Sequence, residues 1–224
     1  MKTKALLPFM LALTAIVLLG CPTPITPPTD TITPPTDTTA NLAAVSDVVS
    51  ANIGTLKAVN GGTFNNGTAD MTVSSFRMSQ YEITMDQFVA VTGLANPSSS
   101  FTDVENGPVQ NVNWYHALVF CNKLSAAEGL TPVYSIGGTT NTTSWGAIPT
   151  TSDDTWNGAG ADWSANGYRL PTEAEWQFAA RGGNSTNSYT YAGSNTVGDV
   201  AWYTSNASST THTVGTKAAN ELGL

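Results

Sequence analysis

Cysteine is nearly absent: the 224 residues include two, at positions 21 and 121, which excludes a disulfide-stapled scaffold. Histidine is as scarce, at 116 and 212, and no Ser-His-Asp or metalloprotease spacing is formed with it. Basic residues number 8 against 16 acidic ones, a net charge of −8 that argues against nucleic acid and against electrostatic attraction to an anionic bilayer. Charged residues of either sign make up 11% of the chain, with Thr, Ser, Asn and Gly in their place. Such a composition suits a loop-rich exported domain better than a helical cytosolic one. Long apolar runs are also missing beyond residue 20.

What stands at the N-terminus is a processing signal. Lys2 and Lys4 form a basic n-region, and residues 5–20 an apolar core too short for a permanent span. Leu18-Leu-Gly-Cys21 resembles a bacterial lipobox, with small Gly20 before the cut and the Cys21 thiol as acceptor of the lipid. An ordinary secretory signal with an incidental cysteine is the alternative. Cleavage removes two of the 8 basic residues and none of the 16 acidic ones, so the net charge becomes −10. Ile25-Thr-Pro-Pro-Thr-Asp-Thr31 then repeats unchanged over residues 32–38, and its paired prolines forbid a helix. Residues 22–52 are therefore expected to be an extended spacer, whose repeated Pro/Thr segment reaches on the order of 50 Å at about 3 Å per residue. The expected organisation is leader and lipobox 1–21, spacer 22–52, folded domain 53–224. The expected location is the cell envelope, lipid-anchored to a bacterial membrane, with the domain facing the periplasm or the exterior.

Within the domain, strands are expected near residues 55–59 and 72–78. A helix should run from Asp86 to about Thr92, with Thr84 and Gln87 as a capping box and Gly93 as its stop. A second should run from Trp114 to about Glu128, capped by Asn113, with Trp114, Ala117, Leu118, Cys121 and Leu124 on its apolar face. Cys121 on that face reads as a small buried hydrophobe, and His212, in a Thr-rich stretch, as a surface residue. Residues 135–166 read as a long excursion with little regular structure. Loops of that kind often carry binding residues, which makes Trp145, Trp156 and Trp163 ligand-loop candidates. Asp153, Asp154, Asn157 and Asp162 in the same stretch offer hard oxygen ligands for a structural calcium, although their spacing fits no EF-hand and solvated loop polarity also explains them.

The densest local signal is Gly167 to Gly183. Pro171 keeps Leu170 out of the helical region, Thr172 and Glu175 form a capping box, and Glu173 and Glu175 suit the positive end of the helix dipole. Trp176, Ala179 and Ala180 share a face, and Gly182-Gly183 supply the stop. Arg169 is expected to pair with a neighbouring carboxylate. The run Arg169-Leu-Pro-Thr-Glu-Ala-Glu-Trp176, followed by an aromatic and Ala-Ala-Arg-Gly-Gly, resembles the signature of the formylglycine-generating-enzyme (sulfatase-modifying factor) family. Val59-Asn-Gly-Gly-Thr-Phe64, residues 76–84, Gly107-Pro-Val-Gln-Asn-Val-Asn-Trp114, residues 213–216 and residues 220–224 resemble other family segments, in the family's order.

That resemblance implies an α+β fold, a variant of the C-type lectin-like fold with two main helices packed on a twisted sheet, whose C-terminal part is missing here. It also implies, for catalytic members, a copper ion held by two cysteines that oxidises a substrate cysteine with oxygen. No cysteine follows Cys121, and a copper(I) site needs soft ligands placed together. The expected function is therefore a lipid-anchored, non-catalytic module that binds or displays to a protein or glycan ligand, without nucleic acid. The alternatives are a formylglycine-generating oxidase whose catalytic part lies outside this sequence, and an unfinished domain that melts without cooperativity.

Overall fold

The computed structural model describes residues 40–224; the leader, Cys21 and the repeated Pro/Thr segment lie outside the described residues. Strands β1 (Val48–Ser50), β2 (Gly54–Val59) and β5 (Phe76–Ser79) form an antiparallel sheet in the order β1-β2-β5, while β3 (Gly62–Asn65) and β4 (Asp70–Val73) form a separate hairpin. Leu56 pairs with Ser79 and Val59 with Phe76; three residues apart, the two buried side chains take opposite faces of β2, Leu56 packing with Phe88, Phe120 and Leu124 and Val59 with Val73, Phe178 and Ala179. The single strand expected over residues 72–78 is thus two strands in two sheets. Ser74 and Ser75 divide them: Ser75 Oγ accepts from Gly61 N at 2.8 Å, and Ser74 Oγ accepts from Asn41 N at 3.0 Å.

The last contact also moves the start of the folded unit. Val45 N donates to Asn60 Oδ1 at 2.7 Å, Asp47 Oδ1 accepts from Ala58 N at 2.7 Å, and β1 pairs with β2 from Val48 to Ser50. Residues 41–52, expected as spacer, are therefore part of the domain. β1 lies at the sheet edge, where Val48 and Val49 stay exposed, so the strand is held by its pairing with β2 more than by burial.

Helix α1 (Met85–Thr92) has the expected Thr84–Gln87 capping box and ends at Gly93, whose φ of 66° is the left-handed stop. Helix α2 (Trp114–Ala127) is capped reciprocally by Asn113 and His116. Its apolar residues serve two cores rather than the one face expected. Tyr115, Leu118, Val119 and Cys121 pack with Val133, Tyr134, Trp145 and Trp156, whereas Phe120 and Leu124 pack with Leu56 and Phe88. Trp114 is only partly buried beside the first of these.

After α2 the chain makes the two-residue strand β6 (Tyr134–Ser135), a short 3-10 turn at Thr142–Ser144, α3 (Asp154–Asn157) and β7 (Gly160–Ala161), which pairs with β6. Helix α4 (Glu173–Ala180) begins at the Thr172–Glu175 capping box. Its buried apolar residues are Phe178 and Ala179, with Trp176 half-buried, because Phe178 meets Phe64 of the β3–β4 hairpin at 5.5 Å. A last short helix, α5 (Val197–Val200), precedes a C-terminal segment of turns and irregular backbone. Asn220 fixes that segment to α4: its Nδ2 donates to Ala179 O at 2.8 Å, and its Oδ1 accepts from Leu222 N at 3.0 Å. Among the described residues no helix is long and apolar enough to cross a membrane.

Gly167 opens the signature segment for a steric reason. A Cβ there would collide with the Thr131 carbonyl and the Ser125 hydroxyl, and Ser125 Oγ also accepts from Tyr168 N at 2.8 Å. Beyond it, Arg169 forms two hydrogen bonds to Glu175, at 2.7 and 2.6 Å, as expected of a neighbouring carboxylate. Pro171 is exposed at the turn between them.

Candidate ligand-binding surface

The tryptophans expected to meet a ligand are largely core. Trp145 and Trp156 are buried, edge to face with centroids 5.7 Å apart, and Trp145 Nε1 donates to Thr139 O at 2.8 Å. The low charge and irregular backbone of residues 135–166 suggested an open loop. Instead the segment folds over α2, and its indoles supply the apolar surface that its short strands and turns cannot. Trp163 is half-buried, with the Arg169 guanidinium 5.0 Å from its ring centroid.

The calcium candidates have other partners. Asp153 caps α3 by accepting from Trp156 N at 3.0 Å, and Asp154 lies in the first turn of that helix. Asp162 accepts from Ser164 N and Oγ, contacts that hold its carboxyl below the ordinary range. Asn157 Oδ1 accepts from the Tyr115 hydroxyl at 2.6 Å. Among the described residues no three His, Cys, Asp or Glu side chains come together as a metal-holding group.

Copper does not fit the residues present either. Cys121 is the free cysteine among the described residues, and burial pushes its thiol up to about 12, so it is neither a thiolate nor one of a pair. His116 belongs to the cap of α2, where burial lowers its pKa and keeps the ring neutral.

A different surface stands out, made of Tyr81, the loop 101–111 and the segment 202–217. Trp202 and Tyr203 are each 40% exposed and Tyr81 48%. The Trp202 ring stacks on His212 with centroids 3.7 Å apart at 19°, Lys217 Nζ lies 3.8 Å from its centroid, and Nε1 donates to Thr216 Oγ1 at 3.2 Å. His212, expected as a plain surface residue, is thus half-buried as one layer of this stack. Gly215 lies so close beneath the Tyr81 ring that a Cβ would collide with it. The loop 101–111 joins through Thr213 Oγ1 to Glu105 O at 2.8 Å and Val214 N to Asn106 O at 3.1 Å.

Backbone strain concentrates on the same surface. The non-glycine residues with positive φ among the described residues are Phe101, Asn106, Asn111, Ser208 and Ser209, all in these two joined loops. Left-handed conformation is costly for such residues and collects at ligand clamps and switch regions. The Thr211 hydroxyl, next to His212, is buried without a hydrogen-bond partner. Sequence pattern gave little sign of this surface, because neither left-handed serines nor a Trp-Tyr pair in a Ser/Thr/Asn-rich loop has a periodicity to mark it.

The model of the sulfatase-modifying factor enzyme 1-like domain matches residues 43–224. The chaperone protein LppX of Paenibacillus barcinonensis is 36% identical, with 75% of this chain and 66% of that protein covered, so this chain spans just under two thirds of that relative. Among solved structures, Treponema denticola variable protein 1 superposes with a TM-score of 0.68 at 33% identity, covering 80% of this chain and 71% of that one. The protein CarF superposes with a TM-score of 0.60 at 30% identity, with 75% of each chain covered.

Proposed function

The chain belongs to the family of sulfatase-modifying factor enzyme 1-like domains, and from that premise we propose that it is a non-catalytic, ligand-binding member, carried at the bacterial cell envelope on a lipid at Cys21 and a Pro/Thr spacer. The observation that carries this reading is the coincidence of exposed aromatics with backbone strain on one face: Tyr81, Trp202 and Tyr203 lie on or against the loops that hold the left-handed residues. Rigid aromatics on loops offer large contact area at small entropic cost. A polypeptide ligand, rather than a glycan, is supported by the similarity to a relative named a chaperone.

The full-length protein should retain a polypeptide from exported-protein fractions saturably, with retention weakened by Tyr81→Ser. Equal retention by the variant would remove this face from the reading. Anchoring has its own test. Cys21→Ser should abolish incorporation of labelled palmitate and move the protein from the membrane to the soluble fraction; an unchanged membrane fraction would refute the lipid anchor.

The oxidase reading requires two soft ligands side by side, which the residues described here do not provide. The full-length chain, supplied with copper(I) and oxygen, should leave the cysteine of a sulfatase peptide unmodified. Mass-spectrometric detection of formylglycine would reverse that conclusion.

A further inference from the structure

Beside the aromatic face lies a cleft of about 140 Å³ between the start of α1 and residues 102–107. Asp86, Asp103 and Glu105 line it together with Met85 and Val104, and Glu82 is exposed next to Tyr81. The ion pairs among the described residues are Lys57–Asp47 and Arg169–Glu175, so none of these four carboxylates is ion-paired with another described residue. The neighbouring cation Lys217 is engaged by the Trp202 ring and by the Gly198 carbonyl.

The size of the cleft decides between ligand classes. Sites that enclose a whole small molecule measure roughly 300 Å³ or more. A cleft less than half that size takes the end of one side chain. Its carboxylates favour a cation through charge-assisted hydrogen bonds, and Met85 and Val104 suit the apolar stem of a long basic side chain. The exposed Tyr81 ring attracts the same groups through its quadrupole, whereas the Trp202 ring is already engaged by His212 and Lys217. The chain's net charge of −8 adds long-range attraction of the same sign.

We propose that this face binds an extended polypeptide segment bearing lysine or arginine, with one basic side chain entering the cleft of Asp86, Asp103 and Glu105 while flanking residues lie over Tyr81 and Trp202. The proposal rests on the reading that the ligand is a polypeptide held at this loop face.

The test is a titration of the full-length protein with a lysine-bearing Gly/Ser peptide, its glutamine and glutamate counterparts, and a neutral oligosaccharide. The lysine peptide should bind saturably, and its Kd should rise roughly tenfold or more between roughly 50 and 500 mM NaCl. The double variant Asp103→Asn/Glu105→Gln should weaken binding roughly tenfold and leave the melting temperature unchanged, because both side chains are exposed and unpaired. Tyr81→Ser should weaken binding on its own. If the glutamine peptide binds as tightly as the lysine peptide and Tyr81→Ser still weakens it, the cation proposal is overturned while the polypeptide reading stands. If the oligosaccharide binds and no peptide does, both fall.

Discussion

Asn122→Ala is expected to lower the stability of the domain by about 4 kcal/mol. Asn122 is 1% exposed, on α2. Its Nδ2 donates to Tyr134 O at 2.7 Å and to Thr140 O at 3.0 Å, while its Oδ1 accepts from Tyr134 N at 3.0 Å. The side-chain amide therefore serves Tyr134 as a neighbouring strand would, on the side of β6 that β7 does not cover. Truncation leaves that N–H and those carbonyls without partners, and each orphaned buried group costs about 1–3 kcal/mol. At about 2–4 °C per kcal/mol for a domain of this length, the melting temperature should drop by roughly 10 °C. Asn122→Asp should be at least as harmful, because it keeps the acceptor but turns a charge on two carbonyl oxygens. A local signal should accompany the loss. Trp145 donates to Thr139 O beside the released Thr140, so its fluorescence should shift to the red before global unfolding. A variant that melts within about 1 kcal/mol of the parent would show that water replaces the amide at no great cost.

The role of Asn122 also shows where sequence reasoning succeeds and where it stops. The caps of α1, α2 and α4 were legible because a cap is closed within four residues: the boxes of Thr84 with Gln87 and Thr172 with Glu175, and Asn113 at the start of α2, although the reciprocal bond of His116 was not among the expectations. The α+β class was legible from the family motifs. What escaped depends on partners distant in the chain. Ser74 and Ser75 interrupt a run of strand-like residues without changing its pattern, and only their contacts with Asn41 and Gly61 show that β4 and β5 part there. Phe178 rather than Trp176 is the buried ring of α4 because of Phe64, more than a hundred residues earlier. The indoles of Trp145 and Trp156 looked available because their segment lacks periodicity, yet that lack makes the segment dependent on them for a core. The proposed ligand surface was the least legible, because strain at Asn106, Ser208 and Ser209 is a property of the backbone.

The same chain of contacts leads from Tyr134 to the signature segment, since Leu170 N donates to the Tyr134 hydroxyl at 3.0 Å. Arg169 then follows directly, and its pairing with Glu175 gives the second large expected effect. Glu175→Gln should cost about 2–3 kcal/mol. Glutamine at this position can still complete the capping box with Thr172, so the substitution isolates the charge. Glu175 is buried, and burial alone would raise its pKa. The two bonds and the charge of Arg169, with the donated Thr172 N–H at 2.8 Å, outweigh burial and hold the carboxyl below its ordinary value of 4.5.

The sign of the pH effect follows from that depression. The stabilisation is fully present above the ordinary carboxylate value and is lost as pH falls through the lower folded value, where the native state must take up the proton. Unfolding free energy of the parent should therefore decline on acidification below about pH 5, beyond the decline common to both proteins. Glu175→Gln should be less stable at neutral pH and converge with the parent in acid. Removing the cation as well should restore part of the loss, because Arg169→Met with Glu175→Gln no longer leaves a half-buried guanidinium uncompensated. Urea titrations of the parent, the single and the double variant at neutral and acid pH supply the comparison. Parallel pH profiles for parent and Glu175→Gln would show that the pair contributes no net stability, and that the Thr172–Glu175 box alone sets the start of α4.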